Sequence, residues 1–411
     1  MSGSIKLKHA SGNGVIISAP SSNPAADRTL TLPSDADGTI VSKDTSNNVA
    51  EIASINGGSI GTKNLIINGA MNVAQYGTSS TDQLYSTVDR IRTSRTGNDE
   101  APTYEQVDVA SGTTPYTLGF RKAFKITNGN QTGTNTVGDV QSFGTRLEAQ
   151  DIANSGWNYT SSSSYITLQF WVKSSVAQNF YFRVFTTDGT SQGYPMETGV
   201  LTANTWTKII KTIAGNSNLQ FDNDNGRGFD IEWPQFRGTN FTNNSKSLNA
   251  WGATDSTALY PDITSTWYTT NDATFEITGI QLEVGSTPST FVFESYAETL
   301  RKCQRYFYNH IPLNTGIRSV LNTSQYSSSQ SYGHLSFPVT MRVAPALEQS
   351  SGTDYYRSYG NANLTGFTNF TLNSATTNGC ELRHPSSRGQ GNSTWARSNA
   401  NASRVQFSAE L

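Results

Sequence analysis

The sequence has little charge and almost no cysteine. Only 15% of its 411 residues are charged, and the formal net charge is −2. This balance argues against a nucleic-acid partner, which requires a basic face, and against binding to anionic membranes by charge. The two cysteines, Cys303 and Cys380, provide no disulfide framework and are predicted to be buried free thiols.

Long apolar segments are missing as well. No stretch approaches the ~20 apolar residues that a membrane-spanning helix needs. The residues after Met1 are polar, where a secretory signal would be basic and then apolar. We therefore expect no membrane insertion, no secretion route and synthesis in a cytoplasm. A repeat of about 20 to 30 residues is also missing, which argues against a β-helix.

The sequence offers no set of residues that indicates catalysis or metal binding. Residues 189–193 match G-x-S-x-G, but a nucleophile elbow needs a helix after it, and a loop between strands is predicted here. Residues 222–226 look like the start of a calcium loop, yet an EF-hand would place a Glu where Trp233 stands. A polar turn is favoured there, and a different Ca²⁺ site stays open. No histidine has a partner at metal-ligand spacing. We predict no catalytic residue, no metal and no cofactor.

Aromatic and β-branched residues are abundant instead. Aromatics make up 11% of the chain, among many Ser, Thr, Asn and Gly. Alternating apolar and polar residues predict strands at 165–173 and 180–185, with turn-rich gaps such as 127–136. No apolar helical pattern interrupts this region up to Val284. Many short strands separated by turns predict an all-β sandwich or barrel.

One stretch, residues 273–308, predicts a boundary. Its alternation slips by one residue at Gly279, which suggests a β-bulge within a strand that ends at Val284. Ser295 and Glu298 then have the spacing of a capping box. Apolar residues follow at helical spacing and predict a helix over 295–310: Tyr296, Leu300, Cys303 and Phe307.

The two ends of the chain differ in their patterns. Short strand-like pieces lie at Ile5–Leu7, 15–17, 30–32 and 40–41, with too few apolar residues to bury a core. Packing against copies of the same segment is favoured, and a loose arm is the alternative. A Gly-rich linker is predicted at 55–64. At the other end, alternation over 404–411 predicts a final strand held in a sheet.

The C-terminal region is rich in aromatic and guanidinium groups among Ser, Asn and Gly. Aromatic faces stack on sugar C–H surfaces, Arg binds hydroxyls and phosphates, and Tyr with Ser, Gly and Asn is typical of adaptable binding surfaces. The alternative is that half of these tyrosine rings pack in a core or between subunits. The candidate receptor contacts are Tyr326, Tyr332, Tyr355, Tyr356, Arg357, Tyr359, Arg388 and Trp395.

Several motifs share one resemblance. They are N-L-x-x-N-G-x-M-x-V-x-Q at 64–75, Val88-Asp89-Arg90, F-x-I-x-G-x-Q-L-E-x-G at 275–285, Phe293 to Tyr296, C-Q-R-Y at 303–306, F-P-V-x-M-R-x-A-P at 337–345 and F-x-A-E-L at 407–411. Together they resemble bacteriophage tail-fibre and receptor-binding proteins. Ile91 stands where that family usually has Trp, and Phe307 where it has a second Tyr.

The resemblance implies an architecture and a function. It implies a β-stranded virion-attachment segment (1–62), a jelly-roll β-sandwich (63–294), a linking helix (295–310) and a C-terminal β-sandwich that binds the receptor (311–411). It also implies an intertwined homotrimer, with Leu300, Cys303 and Phe307 as candidate packing residues. The partners would be phage tail or baseplate proteins and a host surface polysaccharide or lipopolysaccharide. The expected function is non-enzymatic attachment; a polysaccharide depolymerase and a purely structural tail or capsid fibre component are the alternatives.

Overall fold

The computed structural model describes residues 4–8, 14–18, 54–55, 58–59, 64–134, 136–360 and 363–411. The chain forms two compact units, residues 1–52 and 53–411. In the first unit, β1 (Ser4–Lys8) pairs antiparallel with β2 (Gly14–Ser18), with Ile5 opposite Ile17. Strands are thus confirmed at these two segments. The predicted pieces at 30–32 and 40–41 lie outside the described residues.

The second unit begins with a small hairpin and a large β-sandwich. The hairpin pairs β3 (Ser54–Ile55) with β4 (Gly58–Ser59), and it overlaps the start of the segment predicted as a linker, 55–64. The elements of the central sandwich are β5 (Ser79–Ser80), β6 (Arg92–Thr96), β7 (Thr103–Asp108), α1 (Thr114–Thr117), β8 (Lys122–Thr127), a 3₁₀ turn (Thr136–Gly138), β9 (Val140–Glu148), α2 (Ala149–Ala153), β10 (Tyr165–Ser174), β11 (Asn179–Thr186), β12 (Gln192–Val200), β13 (Thr207–Ala214), β14 (Arg227–Arg237), β15 (Gly252–Ala253) and β16 (Thr274–Val284).

These strands form two six-stranded antiparallel sheets. The spatial order is β13-β10-β16-β8-β7-β5 in the first sheet and β15-β12-β11-β14-β9-β6 in the second. The chain switches repeatedly between the sheets, as in a jelly roll. The alternating apolar residues of most of these strands meet in one core, where the rings of Phe143 and Trp233 stack with centroids 5.3 Å apart. The all-β sandwich prediction is confirmed.

The bulge in β16 lies where the sequence predicted it. Gly279 adopts φ = +66°, a conformation that favours glycine, and the register of β16 against β10 shifts between Gln169 and Trp171. A Cβ at position 279 would also lie 2.7 Å from the Phe120 ring. Because of this bulge, Phe275 and Ile277, which precede Gly279, and Ile280 and Leu282, which follow it, all reach buried positions.

The helix after the central sandwich is shorter than predicted. It runs over α3 (Tyr296–Gln304), and the Ser295 side chain caps it by accepting from the Glu298 N–H. The prediction of helix through 310 is wrong. Phe307–Ile311 forms strand β17, because its backbone pairs with the last strand of the chain, and this pairing outweighs the local helical spacing.

The C-terminal sandwich completes the second unit. After β17 its strands are β18 (Ser319–Gln325), β19 (Gln330–Ser336), β20 (Ala346–Gln349), β21 (Tyr356–Gly360), β22 (Asn363–Phe367), β23 (Thr371–Asn373), β24 (Gly379–Pro385), β25 (Ser393–Ser398) and β26 (Val405–Ser408). A three-stranded sheet, β17-β26-β20, packs over a seven-stranded sheet, β22-β21-β25-β18-β19-β24-β23. The final strand is held in a sheet, as predicted, and it is the middle strand of that sheet. None of the helices in the described part of the chain is long and apolar enough to cross a membrane.

A buried polar junction joins the two sandwiches. Arg90, which is 2% exposed, pairs with Glu410 and lies over the Tyr306 ring at 3.5 Å. The fully buried Glu148 accepts hydrogen bonds from Arg305 Nε at 2.7 Å and from Tyr306 Oη at 2.6 Å. These contacts orient the C-terminal sandwich, and therefore its surfaces, relative to the central one.

A second set of contacts surrounds that junction. Gln75 donates from its backbone and its side chain to Asp89, and its Nε2 also donates to the Phe307 carbonyl at 2.8 Å. Burial raises the pKa of Asp89 to about 7, even though the hydrogen bonds from Gln75 oppose the shift. Arg342 donates to the Ala409 and Glu410 carbonyls.

Candidate functional site

The candidate site is the outer face of the seven-stranded sheet, which we name the tip face. In β21 the side chains of Tyr356 and Ser358 are buried in the core, so Arg357 and Tyr359 point to the opposite side. In β25 the buried Ala396 likewise places Trp395 and Arg397 outside. Two adjacent strands thus present an aromatic residue and an arginine on the same face.

Tyr359 and Trp395 form an exposed aromatic platform. They are directly opposite each other across β21 and β25, and their rings stack with centroids 4.8 Å apart and planes 29° apart. Trp395 is 43% exposed although it is the largest side chain on the face. A large, flat apolar surface held in water without covering protein is typical of a binding surface.

The platform is part of one row of side chains that crosses four strands. Leu364 of β22, which is 45% exposed, pairs with Tyr359, and Asn322 of β18 pairs with Trp395. Three strand spacings of about 4.8 Å make this row about 14 Å long. The row supplies apolar surface at one end and an amide donor and acceptor at the other.

Two arginines flank the platform. Arg357 and Arg397 are directly opposite each other in the neighbouring row. Like charges in this position destabilise a sheet. Neither guanidinium forms a hydrogen bond or ion pair with another residue that the structure describes. The Nε of Arg397 is buried, so the donors that can reach hydroxyl or anionic groups of a ligand on this face are those of Arg357 and the terminal Nη groups of Arg397.

A second aromatic pair lies on the same face of the sheet. Tyr332 of β19 is opposite Ser324 of β18, and its ring packs edge-on against Tyr326 with centroids 4.9 Å apart. Tyr326 is 67% exposed in the turn after β18. The predicted residues Tyr326, Tyr332, Tyr359 and Trp395 are thus all surface rings of one sheet.

Comparisons with known proteins give no family for this chain. No family of protein sequences matches it, and no curated protein does. Among solved structures, it is similar to the enzymatically active domain of tailspike protein 4 of bacteriophage CBA120, at 12% identity and a TM-score of 0.28. That match covers 54% of this chain and 21% of the tailspike domain.

Two further structures have comparable scores. A putative sugar binding protein from Bacteroides thetaiotaomicron is 11% identical, with 54% of this chain and 99% of that one covered and a TM-score of 0.30. The tandem CBM22-1-CBM22-2 domain of Paenibacillus barcinonensis Xyn10C is 10% identical, with 87% and 99% covered and a TM-score of 0.26. Scores this low carry no argument about function, so the site is judged on its own geometry.

Three of the predicted contact residues make contacts within the fold. Tyr356 is fully buried, and its hydroxyl donates to the carbonyls of Ser350 and Arg404, so its prediction as a receptor contact is wrong. Tyr355 is half-buried against the C-terminal core. Arg388 donates to three carbonyls of the β21–β22 hairpin and so braces that hairpin. Spacing alone could not separate these inward groups from outward ones, because strand phase decides the direction.

The proposed packing residues between subunits require a similar correction. Cys303 and Phe307 are fully buried within one chain, and Phe307 stacks on Tyr76 with ring centroids 3.6 Å apart. They have no surface left for a second copy, so this prediction is wrong for both. Leu300 remains half-buried and stays a candidate.

Sequence reasoning missed Asn322, Leu364 and the pairing of Arg397 with Arg357. Each lies in a strand whose outward residues are mixed in polarity, so the alternation was too weak to reveal a shared face. The pairing of hairpins that are distant in sequence brings these residues together.

The two motifs that looked like chemical sites are structural. Residues 187–191 form the predicted loop between β11 and β12, and the last two residues of the G-x-S-x-G match already belong to β12, so no helix follows the motif. In the loop at 222–226, Asn225 exchanges hydrogen bonds with the backbone and guanidinium of Arg342, so this turn attaches to the C-terminal sandwich. Among the described residues, no group of three or more His, Cys, Asp or Glu is placed to hold a metal.

Proposed function

We propose that the chain binds a glycan on the tip face, without enzymatic activity. The observation that carries this proposal is the stacked, exposed pair of Tyr359 and Trp395. Pyranose rings have apolar C–H faces that pack on such rings, while their hydroxyls accept from guanidinium and amide donors. Arg357, Arg397 and Asn322 provide those donors beside the rings.

We further propose that this binding attaches a phage virion to its host. The support is the set of sequence motifs that resemble tail-fibre proteins, distributed from residue 64 to residue 411. In this proposal residues 1–62 bind tail or baseplate proteins, and the tip face binds host surface polysaccharide or lipopolysaccharide. The chain would then be a virion component made in the host cytoplasm.

Replacing Trp395 by alanine should weaken glycan binding by about 30-fold or more, because exposed aromatic anchors of this kind contribute at least about 2 kcal/mol. The measurement is binding to an array of bacterial surface polysaccharides. Tyr296→Ala is the matched control, because Tyr296 is 58% exposed but lies on α3. Unchanged binding by the Trp395 variant would remove the tip face as the site.

The same incubation separates binding from cleavage. If the bound polysaccharide keeps its chain length during incubation, the protein is an adhesin. A fall in polymer length would instead assign it to the depolymerases. Failure of the isolated virion protein to bind any host glycan would favour a purely structural role.

We expect a homotrimer, because the N-terminal segment has too few apolar residues to bury a core by itself and the tail-fibre proteins that the sequence resembles are usually three-fold. Light scattering at micromolar concentration should then give three times the 44.6 kDa mass of one chain. A monomer mass at that concentration would contradict the trimer.

A further inference from the structure

A groove lined by arginines crosses the outer face of the second sheet of the central sandwich. Along one row, Arg92 of β6, Gly144 of β9, Glu232 of β14 and Arg183 of β11 are successive cross-strand neighbours. Gly144 has no side chain, so the surface of the sheet forms a depression between Arg92 and Glu232. The groove, which we name the Arg groove, has a volume of about 270 Å³.

The Arg groove is strongly positive in a chain whose net charge is −2. Its lining contains two carboxylates, Asp230 and Glu232, against five guanidinium groups, which leaves an excess of three positive charges. The five are Arg92, Arg146, Arg183, Arg227 and Arg237. An excess of this size on a concave surface concentrates anions there.

Most of these arginines are fixed in place. Arg227 donates two hydrogen bonds to Asp230, of 2.7 and 2.5 Å. Arg183 donates to Glu232 at 3.0 Å. Both guanidinium groups also lie over the Phe185 ring, at 5.4 and 4.1 Å. Because these donors are already held in place, less side-chain entropy is lost when a ligand binds.

Arg92 is different, because no described residue pairs with it. It is half-buried, and burial together with the neighbouring Arg146 lowers its pKa. A half-buried cation beside another cation destabilises the fold, and an anion between them would remove that cost.

Glu232 of the Arg groove is not suited to act as the acid of a hydrolytic carboxylate pair. A glycosidase acid needs a raised pKa. Burial alone would raise the pKa of Glu232, but Arg237 and Arg183 outweigh it and hold that pKa far below its usual value. The acids position the arginines, so the groove is arranged for binding.

We propose that the Arg groove binds the carboxylate or phosphate of an anionic saccharide, with Arg92 as the direct contact. Arginine matches either group with paired hydrogen bonds. The volume is just below the range of about 300–1,000 Å³ that ligand pockets span, and so suits one acidic sugar unit of a longer chain. This site is separate from the tip face and does not depend on the function proposed for it.

Calorimetric titration of the full chain at low salt tests the proposal, with trigalacturonate, glucose 6-phosphate and maltotriose as probes. We expect at least one acidic probe to bind and neutral maltotriose to bind more weakly at this site. Arg92→Gln should weaken binding of the acidic probe by about tenfold or more, because one charge-assisted hydrogen-bonded contact is lost. Arg92→Lys keeps the positive charge but loses the paired N–H donors of the guanidinium, so it should weaken this binding less.

Three controls make the outcome decisive. Arg121→Gln removes the same charge from an exposed position beside the first sheet, and Trp395→Ala disables the tip face; both should leave the Arg92-dependent binding unchanged. Arg92→Gln should unfold at the same temperature as the parent or higher, because no residue that the structure describes would lose a partner with the guanidinium. Trigalacturonate binding alone identifies a carboxylate ligand, and glucose 6-phosphate binding alone a phosphate. Binding of neither acid, or acid binding that survives Arg92→Gln, would overturn the proposal.

Discussion

Replacing Arg90 by alanine is expected to lower the free energy of unfolding by about 3–5 kcal/mol, the usual cost of removing one partner of a buried ion pair. Arg90 and Glu410 are 2% and 7% exposed, so Glu410 would be left without its cation away from water. The variant would also lose a hydrogen bond of 2.6 Å to the Arg146 carbonyl and the packing of the guanidinium on Tyr306.

Denaturant unfolding, followed by tryptophan fluorescence, measures this loss. The matched control is Lys122→Ala, whose partner Asp108 is 81% exposed; it should change the free energy of unfolding by less than about 1 kcal/mol. If the Arg90 variant were as stable as this control, the junction would not hold the two sandwiches together. Limited proteolysis adds a local readout, since loosening of the junction should make residues around α3 cleavable.

The motifs that suggested a family meet in this junction. Gln75, Asp89 and Arg90 come from the first motifs in the chain, and Tyr306 and Glu410 from the last ones. The sequence presents them as separate signals up to 335 residues apart. In the fold they lie together where the two sandwiches meet: Arg90 pairs with Glu410 and lies over the Tyr306 ring, and the Gln75–Asp89 pair lies beside them.

The fold class and most strands of the central sandwich were predictable. Apolar alternation in β10 and β11 is regular, and a glycine at a phase slip in β16 has one simple structural meaning. Local pattern failed at Phe307, where helical spacing pointed to a helix and long-range pairing with β26 produced a strand. Such pairing depends on residues about a hundred positions away, which no local window includes.

The tip face was predictable only as a composition. Tyrosine, tryptophan and arginine are concentrated in the C-terminal region, and several of them do lie on one exposed face. The direction of each side chain depends on strand phase, which is why Tyr356 is buried beside the outward Arg357. The Arg groove gave no sequence signal at all, because its arginines are spread from residue 92 to residue 237 and share a face only through sheet register.

The replacement of Glu148 by glutamine is expected to cost about 2–5 kcal/mol of unfolding free energy. The buried carboxylate accepts both Arg305 Nε and Nη2, at 2.7 and 2.8 Å, and also the Tyr306 hydroxyl. Burial opposes its ionisation, yet the bonds from Arg305 and Tyr306 outweigh burial and hold the pKa of Glu148 below its usual value. Glutamine has the same shape, but its amide would direct N–H donors at the donors of Arg305.

Glu294→Gln is the control for that experiment. Glu294 precedes α3 and pairs with Lys302 on that helix, and both side chains are partly exposed, so this substitution should cost less than about 1 kcal/mol. The double variant Arg90→Ala/Glu148→Gln tests whether the junction is one unit. Arg90 covers the Tyr306 ring while Glu148 holds its hydroxyl, so both substitutions release the same side chain. Their combined effect should therefore fall short of the sum by about 0.5–3 kcal/mol. Strictly additive effects would show that Arg90 and Glu148 act independently. Tyr306 would then not be the residue that couples the contacts between the two sandwiches and so orients the tip face.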